Sequence, residues 1–209
     1  MLEKFLEMAK TKIGCGYVYG SQGQTMTAAL LSTLVRSFGK SHFEFKDSAG
    51  TVDAKKWLGQ QCFDCSGFIV WLLQQLGLLN KDQDYTAAAL YSNLCTPITK
   101  AQLVPGDLVF IKDSSGIINH VGIYFGNGKT IEAIGTRKGV VQGDSARFNV
   151  YGRLKFFKAE IEKPIDELED AVRFLSWTAG IDYDVWYKTA KAVKYLDRCF
   201  IKIANAFQK

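Results

Sequence analysis

The sequence is poor in the residues that would indicate a disulfide-rich or metal-binding protein. Only two of its 209 residues are histidine, and its five cysteines form an odd, irregularly spaced set. Disulfide scaffolds usually carry an even number of cysteines, and a zinc site needs about four ligands. The chain has one CxxC pair, Cys62 and Cys65, with no second CxxC and no HxxxH. No disulfide scaffold, metal or cofactor is therefore predicted, although this pair leaves a redox couple or half a zinc site open.

Long apolar runs and clustered basic residues are also missing. No stretch approaches the roughly 20 apolar residues that span a bilayer, and residues 1–5 lead into no apolar segment of the signal-peptide type. The net charge of +5 is not concentrated in a basic block interleaved with aromatic residues, so no nucleic-acid partner is predicted. We therefore expect a protein that is synthesised in the cytoplasm without a signal peptide and has no membrane span.

The composition allows a sizeable folded core. Residues of the hydrophobic types make up 47% of the chain, which is ordinary for a globular protein. A chain of 209 residues is long enough for one medium domain, or for one domain with a small appendage.

One stretch, Asp64-Cys65-Ser66-Gly67 and the apolar run after it, predicts a buried helix with a cysteine at its start. Asp64 occupies the N-cap position, so Cys65 is the first helical residue. A thiol there meets free backbone N–H groups and the positive end of the helix dipole, which favour the thiolate. Cys65 is therefore a candidate nucleophile, and an inert core thiol remains an alternative. The apolar positions at helical spacing are Phe68, Trp71, Leu72 and Leu76.

A cysteine nucleophile normally works with a base, and the two histidines differ in their surroundings. His42 lies in a polar segment beside Lys40 and Ser41, whereas His120 begins an alternating segment that predicts a β-strand. A histidine at a strand end facing a cysteine at a helix start is the arrangement of thiol hydrolases. His120 is therefore the candidate base.

Three motifs occur in a fixed order: DCSG at 64–67, VPGDLVF at 104–110 and NHVGIYFGNG at 119–128. Together they resemble the NlpC/P60 family of papain-like peptidoglycan hydrolases, over a range from about residue 14 to about residue 156. The resemblance implies an α+β papain-like fold. Its helical half, which carries the Cys65 helix, would pack on an antiparallel β-sheet that carries His120. Asp107, in the second motif, is expected to serve turn formation rather than catalysis.

The resemblance also implies roles for individual residues. Cys65 would attack a peptide carbonyl, His120 would exchange the proton, and Glu132, twelve residues after His120, would orient the imidazole. Tyr17 matches a tyrosine that lies beside the cysteine in the family, although Gly16 replaces the usual proline, and its alternative is a packed aromatic. Asp64 and Ser66 are expected to contact substrate, and Asp64 has its N-cap role as the structural alternative. Glu132 has the alternative of a solvated edge residue.

The turn between the two predicted strands decides whether Glu132 can reach His120. A two-residue turn at 127–128 would pair Ile123 with Glu132 and place Glu132 on the opposite face from His120. A three-residue loop at 126–128 would pair Gly122 with Glu132 instead. Glu132 and His120 would then be diagonal neighbours on one face, at roughly 7–8 Å between backbones. We predict the bulged arrangement.

The sequence predicts a catalytic domain at residues 1–160, with an insertion at about 21–61, and a C-terminal helical region at 161–209. The insertion is longer than in small family members, resembles the long inserts of phage-type members, and is expected to form a lid or substrate wall. It should contain a helix over 26–38 and a polar, glycine-containing segment over 40–60, which Trp57 and Leu58 are expected to anchor. Pro164 marks the boundary, and two helices are expected after it, one from Ile165 to Gly180 and one from Trp186 through Val193 to Phe207. They would pack on the catalytic domain, or bind the cell wall or a partner protein.

The expected function is that of a cysteine endopeptidase acting on peptidoglycan stem peptides, at the bond between D-γ-glutamate and the diamino acid. One alternative is an N-acetylmuramoyl-L-alanine amidase with the same three residues. Another is an inactive cell-wall-binding or tail protein. A CxxC redox protein is a weaker rival, which predicts that Cys62→Ser abolishes function. Without a signal peptide, release during phage lysis or delivery by a phage tail would bring the enzyme to the cell wall.

Overall fold

The computed structural model describes residues 1–161, 168–180, 182–192 and 196–208, and it divides the catalytic part into a helical half and a sheet. The elements of the first half follow one another in this order: α1 (Leu2–Thr11), β1 (Gly16–Tyr17), β2 (Gln22–Thr25), α2 (Ala28–Phe38), β3 (Glu44–Asp47), β4 (Gly50–Asp53), β5 (Gln61–Phe63), α3 (Cys65–Gln75) and the short α4 (Ala87–Ala89).

The second half contains the main sheet and the C-terminal helices. Its elements are β6 (Cys95–Ile98), β7 (Leu108–Lys112), β8 (Ile118–Gly126), β9 (Lys129–Gly135), β10 (Gly139–Asp144), β11 (Val150–Leu154), α5 (Lys158–Ile161), α6 (Leu168–Ala179), α7 (Tyr183–Ala192) and α8 (Leu196–Phe207). None of the helices in the described part of the chain combines the length and apolar character needed to cross a bilayer.

Helix α3 is the centre of the helical half. The carboxylate of Asp64 accepts a hydrogen bond from the Gly67 N–H at 2.7 Å and so caps the helix, as the sequence predicts. The helix is buried on almost every side and packs between α1 and the sheet. Its fully buried side chains are Phe68, Ile69, Val70, Leu72 and Leu73. This packing fixes the position of Cys65 at the start of the helix.

The main sheet has six strands in the order β10-β9-β8-β7-β11-β6, and every pair in it is antiparallel. One face packs on α3 through buried side chains of the central strands, among them Leu108, Phe110, Val121 and Ile123. The predicted α+β papain-like fold, with the cysteine helix on an antiparallel sheet, is confirmed. The edge strand β6 was not expected, because Thr96 and Pro97 interrupt any alternating apolar pattern.

The insertion folds into an ordered layer, and its polar segment over 40–60 contains a hairpin that the sequence does not predict, while the predicted anchoring role of Trp57 is confirmed. Strands β3 and β4 form a hairpin there, and Trp57 is buried in a second apolar cluster together with Val18 and Met26. Trp57 also donates from Nε1 to the backbone oxygen of Thr136 at 2.7 Å. The predicted helix is found as α2, and Leu58 is 41% exposed rather than an anchor. The insertion is thus attached to the main sheet next to the end of β9.

The β8–β9 hairpin has the predicted pairing, with its irregularity at a different place. Asn127 and Gly128 form a two-residue turn, with φ of 50° and 70°, and Gly126 pairs with Lys129. The register then shifts between Tyr124 and Gly126, so that Tyr124 pairs with Thr130 and Ile123 with Ile131. Phe125 is therefore the extra residue. The bulge lies in the strand, not in the loop, and it still brings Glu132 opposite Gly122.

The described C-terminal residues form three helices rather than two. Helices α6, α7 and α8 share a small core that includes Ala171, Leu175 and Phe200. Phe174 and Trp177 on α6 also pack against the core of the catalytic domain. The predicted stop at Gly180, which has a φ of 69°, agrees with the end of α6. Pro164, Ile165 and Val193 lie outside the described residues.

Candidate active site

A cleft of about 430 Å³ lies between the start of α3 and the beginning of β8. Cys65 lines it from the helix, and His120 lines it from the sheet. Tyr17, Asp64 and Ser66 line the same cleft, so the structure brings five of the six predicted site residues together around one cavity. The sixth, Glu132, lies behind His120.

The thiol of Cys65 is held close to backbone N–H groups, but it is also largely withdrawn from water. Burial, and then the neighbouring carboxylate of Asp64, raise the pKa of Cys65 to about 12. The N–H groups of Val121, Ser66 and Cys65 itself lower this pKa, as expected at a helix start, but they do not outweigh burial. The helix start thus favours the thiolate as predicted, but burial has the larger effect, and a base is needed to form the anion at neutral pH.

His120 is held by Glu132 through one ring nitrogen. Nε2 of His120 lies 2.6 Å from Oε2 of Glu132, and the Glu132 side chain is completely buried. A carboxylate can only accept, so Nε2 carries the hydrogen in the neutral ring. The hydrogen bonds of this ring within the described residues all use Nε2. Nδ1 is therefore the nitrogen that remains for Cys65.

The pocket around the Glu132 carboxylate is closely fitted. Its other oxygen, Oε1, accepts a hydrogen bond from Thr130 Oγ1 at 3.0 Å. Gly143 on the neighbouring strand β10 has no side chain at this point, and a Cβ there would lie 2.3 Å from Oε1. The carboxylate fits only because this position is glycine. Thr130 lies on β9 with Glu132, and Gly143 lies on the adjacent strand β10, so the sheet itself fixes the orientation of Glu132.

Arg147 is a site residue that the sequence analysis does not identify. It ends a short helical turn, Ser145–Arg147, which is capped by Asp144. Its Nη2 donates to Oε2 of Glu132 and lies 3.2 Å from Nε2 of His120. The residue stands in the segment 143–147, which has no recognisable motif.

Phe148 completes this group of side chains. Its ring stacks on the His120 ring, with ring centroids 5.9 Å apart and ring planes inclined by 27°. The guanidinium of Arg147 lies over the same phenylalanine at 4.8 Å. Phe148 thus contacts both the imidazole and the guanidinium, and it restricts the movement of both.

Both carboxylate oxygens of Asp64 accept hydrogen bonds from nearby residues. Oδ1 accepts from Gly67 N–H and, at 3.2 Å, from the Ser66 hydroxyl, while Oδ2 accepts from Gly20 N–H at 2.9 Å. Burial raises its pKa, and the Gly67 and Gly20 N–H groups lower it. The N-cap role is thus present in the structure, and the same carboxylate ties the β1–β2 connection to the start of α3.

Tyr17 lies close enough to Cys65 to be influenced by its charge. Burial raises the pKa of the Tyr17 phenol, and the proximity of Cys65 raises it further. The phenol therefore stays protonated throughout the range of ordinary assays. A protonated hydroxyl beside the thiol is a hydrogen-bond donor that a reacting oxygen can use.

The second cysteine of the CxxC pair and the second histidine lie elsewhere. Cys62 is buried in the insertion's apolar cluster, where its thiol contacts the backbone oxygen of Gln60 at 3.4 Å, while Cys65 faces the cleft. Both are free thiols. His42 stacks on Tyr19 with centroids 4.3 Å apart. In the described ranges, no group of three or more histidine, cysteine or acidic side chains is arranged to hold a metal ion.

Asp107 has the structural role predicted for it. It is fully buried, accepts from Val104 N–H at 2.8 Å within the turn, and pairs with Arg153 Nε at 2.9 Å. Arg153 in turn donates to the backbone oxygen of Gln102. This pair joins β7 to β11 and the loop before β7, well apart from the cysteine.

A helix-start cysteine that packs on an antiparallel sheet bearing a histidine and its carboxylate partner defines the papain-like class of folds. Within this class, the sequence model of the NlpC/P60 family matches residues 49–155, about half of the chain. The chain belongs to the NlpC/P60 family. The match contains Cys65, His120 and Glu132, whereas Tyr17 and residues 21–48 of the insertion lie before it.

Known proteins resemble the chain over the same region. The chain is 42% identical over 95 residues to the probable endopeptidase p60 of Listeria grayi, which is 41% of this chain and 18% of that protein. It is 40% identical over 97 residues to the probable endopeptidase NlpC of Escherichia coli, covering 46% of this chain and 59% of that protein. The chain thus spans less than two thirds of either relative.

Among solved structures, NlpC2 from Trichomonas vaginalis aligns with 73% of this chain and 45% of its own, at 25% identity and a TM-score of 0.49.

Proposed function

We propose that the protein is a cysteine peptidase that hydrolyses peptidoglycan stem peptides. The observation that carries this proposal is the arrangement of Cys65 and His120 in one cleft, with His120 Nε2 held by Glu132 at 2.6 Å. Family membership and the endopeptidase names of the p60 and NlpC relatives support the substrate class. The chain spans less than two thirds of either relative, so the assignment of this activity to the chain is our inference.

In the proposed reaction, His120 Nδ1 takes the proton of the Cys65 thiol as the sulfur attacks the peptide carbonyl carbon. The resulting imidazolium then gives that proton to the leaving amine, and the peptide C–N bond breaks to leave a thioester on Cys65. A water molecule, deprotonated by His120, hydrolyses the thioester and restores the thiol. Because the pKa of Cys65 is raised to about 12, the imidazole is essential to the first step.

The oxyanion formed during attack needs hydrogen-bond donors near the sulfur. We assign the backbone N–H of Cys65 to this role, because it stands at the free N-terminal end of α3. The protonated hydroxyl of Tyr17 is the proposed second donor. Asp64 and Ser66 are proposed to contact substrate from the cleft wall, a role in which Ser66 has more freedom because the Asp64 oxygens already accept local hydrogen bonds.

The specific bond that we propose joins D-γ-glutamate to the diamino acid of the stem peptide. The alternative is the amide between N-acetylmuramic acid and L-alanine, which the same three residues would cleave by the same steps. For the biological setting we propose action on the cell wall during phage lysis or tail-associated entry. Long inserts of the kind found at 21–61 also occur in phage-type members of the family.

The proposal is tested by mass spectrometry of purified peptidoglycan digested with the protein and with its Cys65→Ala variant. Fragments that end at D-γ-glutamate, absent with the variant, are the expected result. Release of intact stem peptides from the sugar would favour the amidase. No cleavage of walls of several chemotypes would overturn the enzyme assignment and favour a cell-wall-binding protein.

We also propose that the C-terminal helices bind the cell wall or a partner protein. Four large apolar side chains on them are between 40% and 59% exposed: Val185, Trp186, Ile203 and Phe207. Replacement of Val185 and Phe207 by serine should reduce sedimentation with purified walls and leave hydrolysis of a soluble stem peptide unchanged. Equal sedimentation of both proteins would leave the wall-binding role without support.

A further inference from the structure

A single oxygen atom, Oε2 of Glu132, is shared by two cationic or potentially cationic groups. His120 Nε2 lies 2.6 Å from it, and Arg147 Nη2 donates to the same atom. The two nitrogens are 3.2 Å apart. Because Nε2 carries a hydrogen in the neutral ring, this is a contact between two donors, and it is tolerated because the carboxylate lies between them.

We propose that Arg147 is a positioning residue that fixes the Glu132 carboxylate behind His120 and, by sharing that carboxylate, makes the ring harder to protonate. Glu132 alone would stabilise the imidazolium strongly, since it is buried and charged. The guanidinium opposes this in two ways: it takes up part of the carboxylate's hydrogen-bonding capacity, and it places a positive charge next to the ring. His120 then remains able to accept the proton of Cys65.

Charged and titratable groups face His120 from four directions. Glu132 approaches from β9 and Arg147 from the turn after β10, while Cys65 and Asp64 lie across the cleft on α3 and at its N-cap. The remaining titratable side chains that line the cleft are Tyr17, Tyr19, Asp84 and Tyr85. Of these groups Arg147 is the cation, and its side chain is 40% exposed, so its effect is partly screened by water.

The decisive experiment measures the titration of the His120 ring itself, by NMR of the imidazole resonances, in a Cys65→Ala background that removes coupling to the thiol. The chain has only two histidines, so a further His42→Gln replacement leaves a single imidazole signal. In this background Arg147→Met should move the titration midpoint to higher pH by about one unit. Arg147→Lys retains the charge and should restore most of the original midpoint.

The control is Arg36→Met, which removes an exposed arginine from α2 and should leave the midpoint unchanged. An unchanged or lowered midpoint in Arg147→Met, with a normal near-UV circular dichroism spectrum, would overturn the proposal. If Arg147→Met does not fold, Arg147→Lys provides the test, because it retains the positive charge. A His120 midpoint that rises in Arg147→Lys by the amount expected for loss of charge would overturn the proposal.

The consequence for reactivity rests on the proposed function and is measured separately. Both limbs of the pH profile of kcat/KM should move upward in Arg147→Met, since loss of a positive charge favours protonation at every step. The rate of Cys65 alkylation by iodoacetamide should show the same displacement without any peptidoglycan. A displaced alkylation profile without hydrolysis would refute the peptidase assignment while sustaining the role of Arg147.

Discussion

Gly122 on β8 lies directly opposite Glu132 on β9, and a Cβ at Gly122 would stand 3.1 Å from the Cβ of Glu132. The same Cβ would be 3.4 Å from the Phe148 ring. The missing side chain at Gly122 is what allows Glu132 and Phe148 to close in around His120. Gly122, which has no chemical role of its own, therefore determines how closely Glu132 and Phe148 approach His120.

Gly122→Ala should accordingly reduce activity more than stability. The added methyl group displaces Glu132 or Phe148 by a few tenths of an ångström, which we expect to lower kcat/KM about 10-fold at a cost of about 1–2 kcal/mol in unfolding free energy. A matched control is Gly152→Ala on β11, whose Cβ would meet the Cβ of Cys95 at 2.7 Å, away from the site. That variant should lose stability but retain its specific activity. Equal loss of activity in both would contradict the argument.

The pairing of Gly122 with Glu132 could be predicted because side chains alternate along a strand and only one register places Glu132 on the face of His120. The position of the bulge could not. Asn127 and Gly128 adopt the positive φ values of a tight two-residue turn, and the extra residue moves to Phe125. Phe125 packs against the main core, and the backbone of Trp177 on α6 covers Gly126. These contacts come from distant parts of the chain and leave no local signal.

The same reason explains why the site was predicted only in part. Cys65 and His120 stand at a helix start and a strand end, where local pattern and residue type identify them. Arg147 reaches Glu132 from a loop with no periodicity, so only the folded sheet shows the contact. Trp57 was expected to anchor the insertion, but its partner, the backbone oxygen of Thr136, was not. The surface on which a single aromatic side chain packs depends on tertiary structure rather than on sequence pattern.

The raised pKa of Cys65 predicts how its alkylation depends on pH. Burial disfavours the charged thiolate, so the thiolate fraction falls about tenfold for each pH unit below a pKa of about 12. In His120→Ala, Cys65 should react with iodoacetamide only as the pH approaches that value. At pH 7 its rate should be at least about 10²-fold below that of the unaltered protein.

Peptide mapping by mass spectrometry separates Cys65 from the other four cysteines in this measurement. Cys199, which is exposed, serves as the internal control and should react equally in both proteins. A His120→Ala profile with a midpoint near that of an ordinary cysteine would show that the thiol is not withdrawn from water as the structure indicates.

Asp107 allows a test in which stability changes and the site does not. Its carboxylate is buried with Arg153 and also accepts from Val104 N–H. Asp107→Ala removes the buried carboxylate that faces the guanidinium, which we expect to cost about 3–5 kcal/mol of unfolding free energy in urea denaturation. The double variant Asp107→Leu with Arg153→Met should recover much of this loss. Cys65 alkylation of the folded single variant should be unchanged, and a loss of reactivity would indicate that the ion pair also shapes the cleft.

Tyr17 distinguishes a role in the reaction from a role in packing. Its phenol is protonated at assay pH because burial and Cys65 raise its pKa, so its hydroxyl can donate to the developing oxyanion. Tyr17→Phe keeps the ring in place and removes only this donor. We expect kcat to fall about 10²-fold with KM and the melting temperature nearly constant, since the lost hydrogen bond forms only in the transition state. A rise in KM at unchanged kcat would assign the hydroxyl to ground-state substrate binding. Unchanged values of both would leave Tyr17 as a packing residue, and Tyr17→Ala would then reduce stability and activity together.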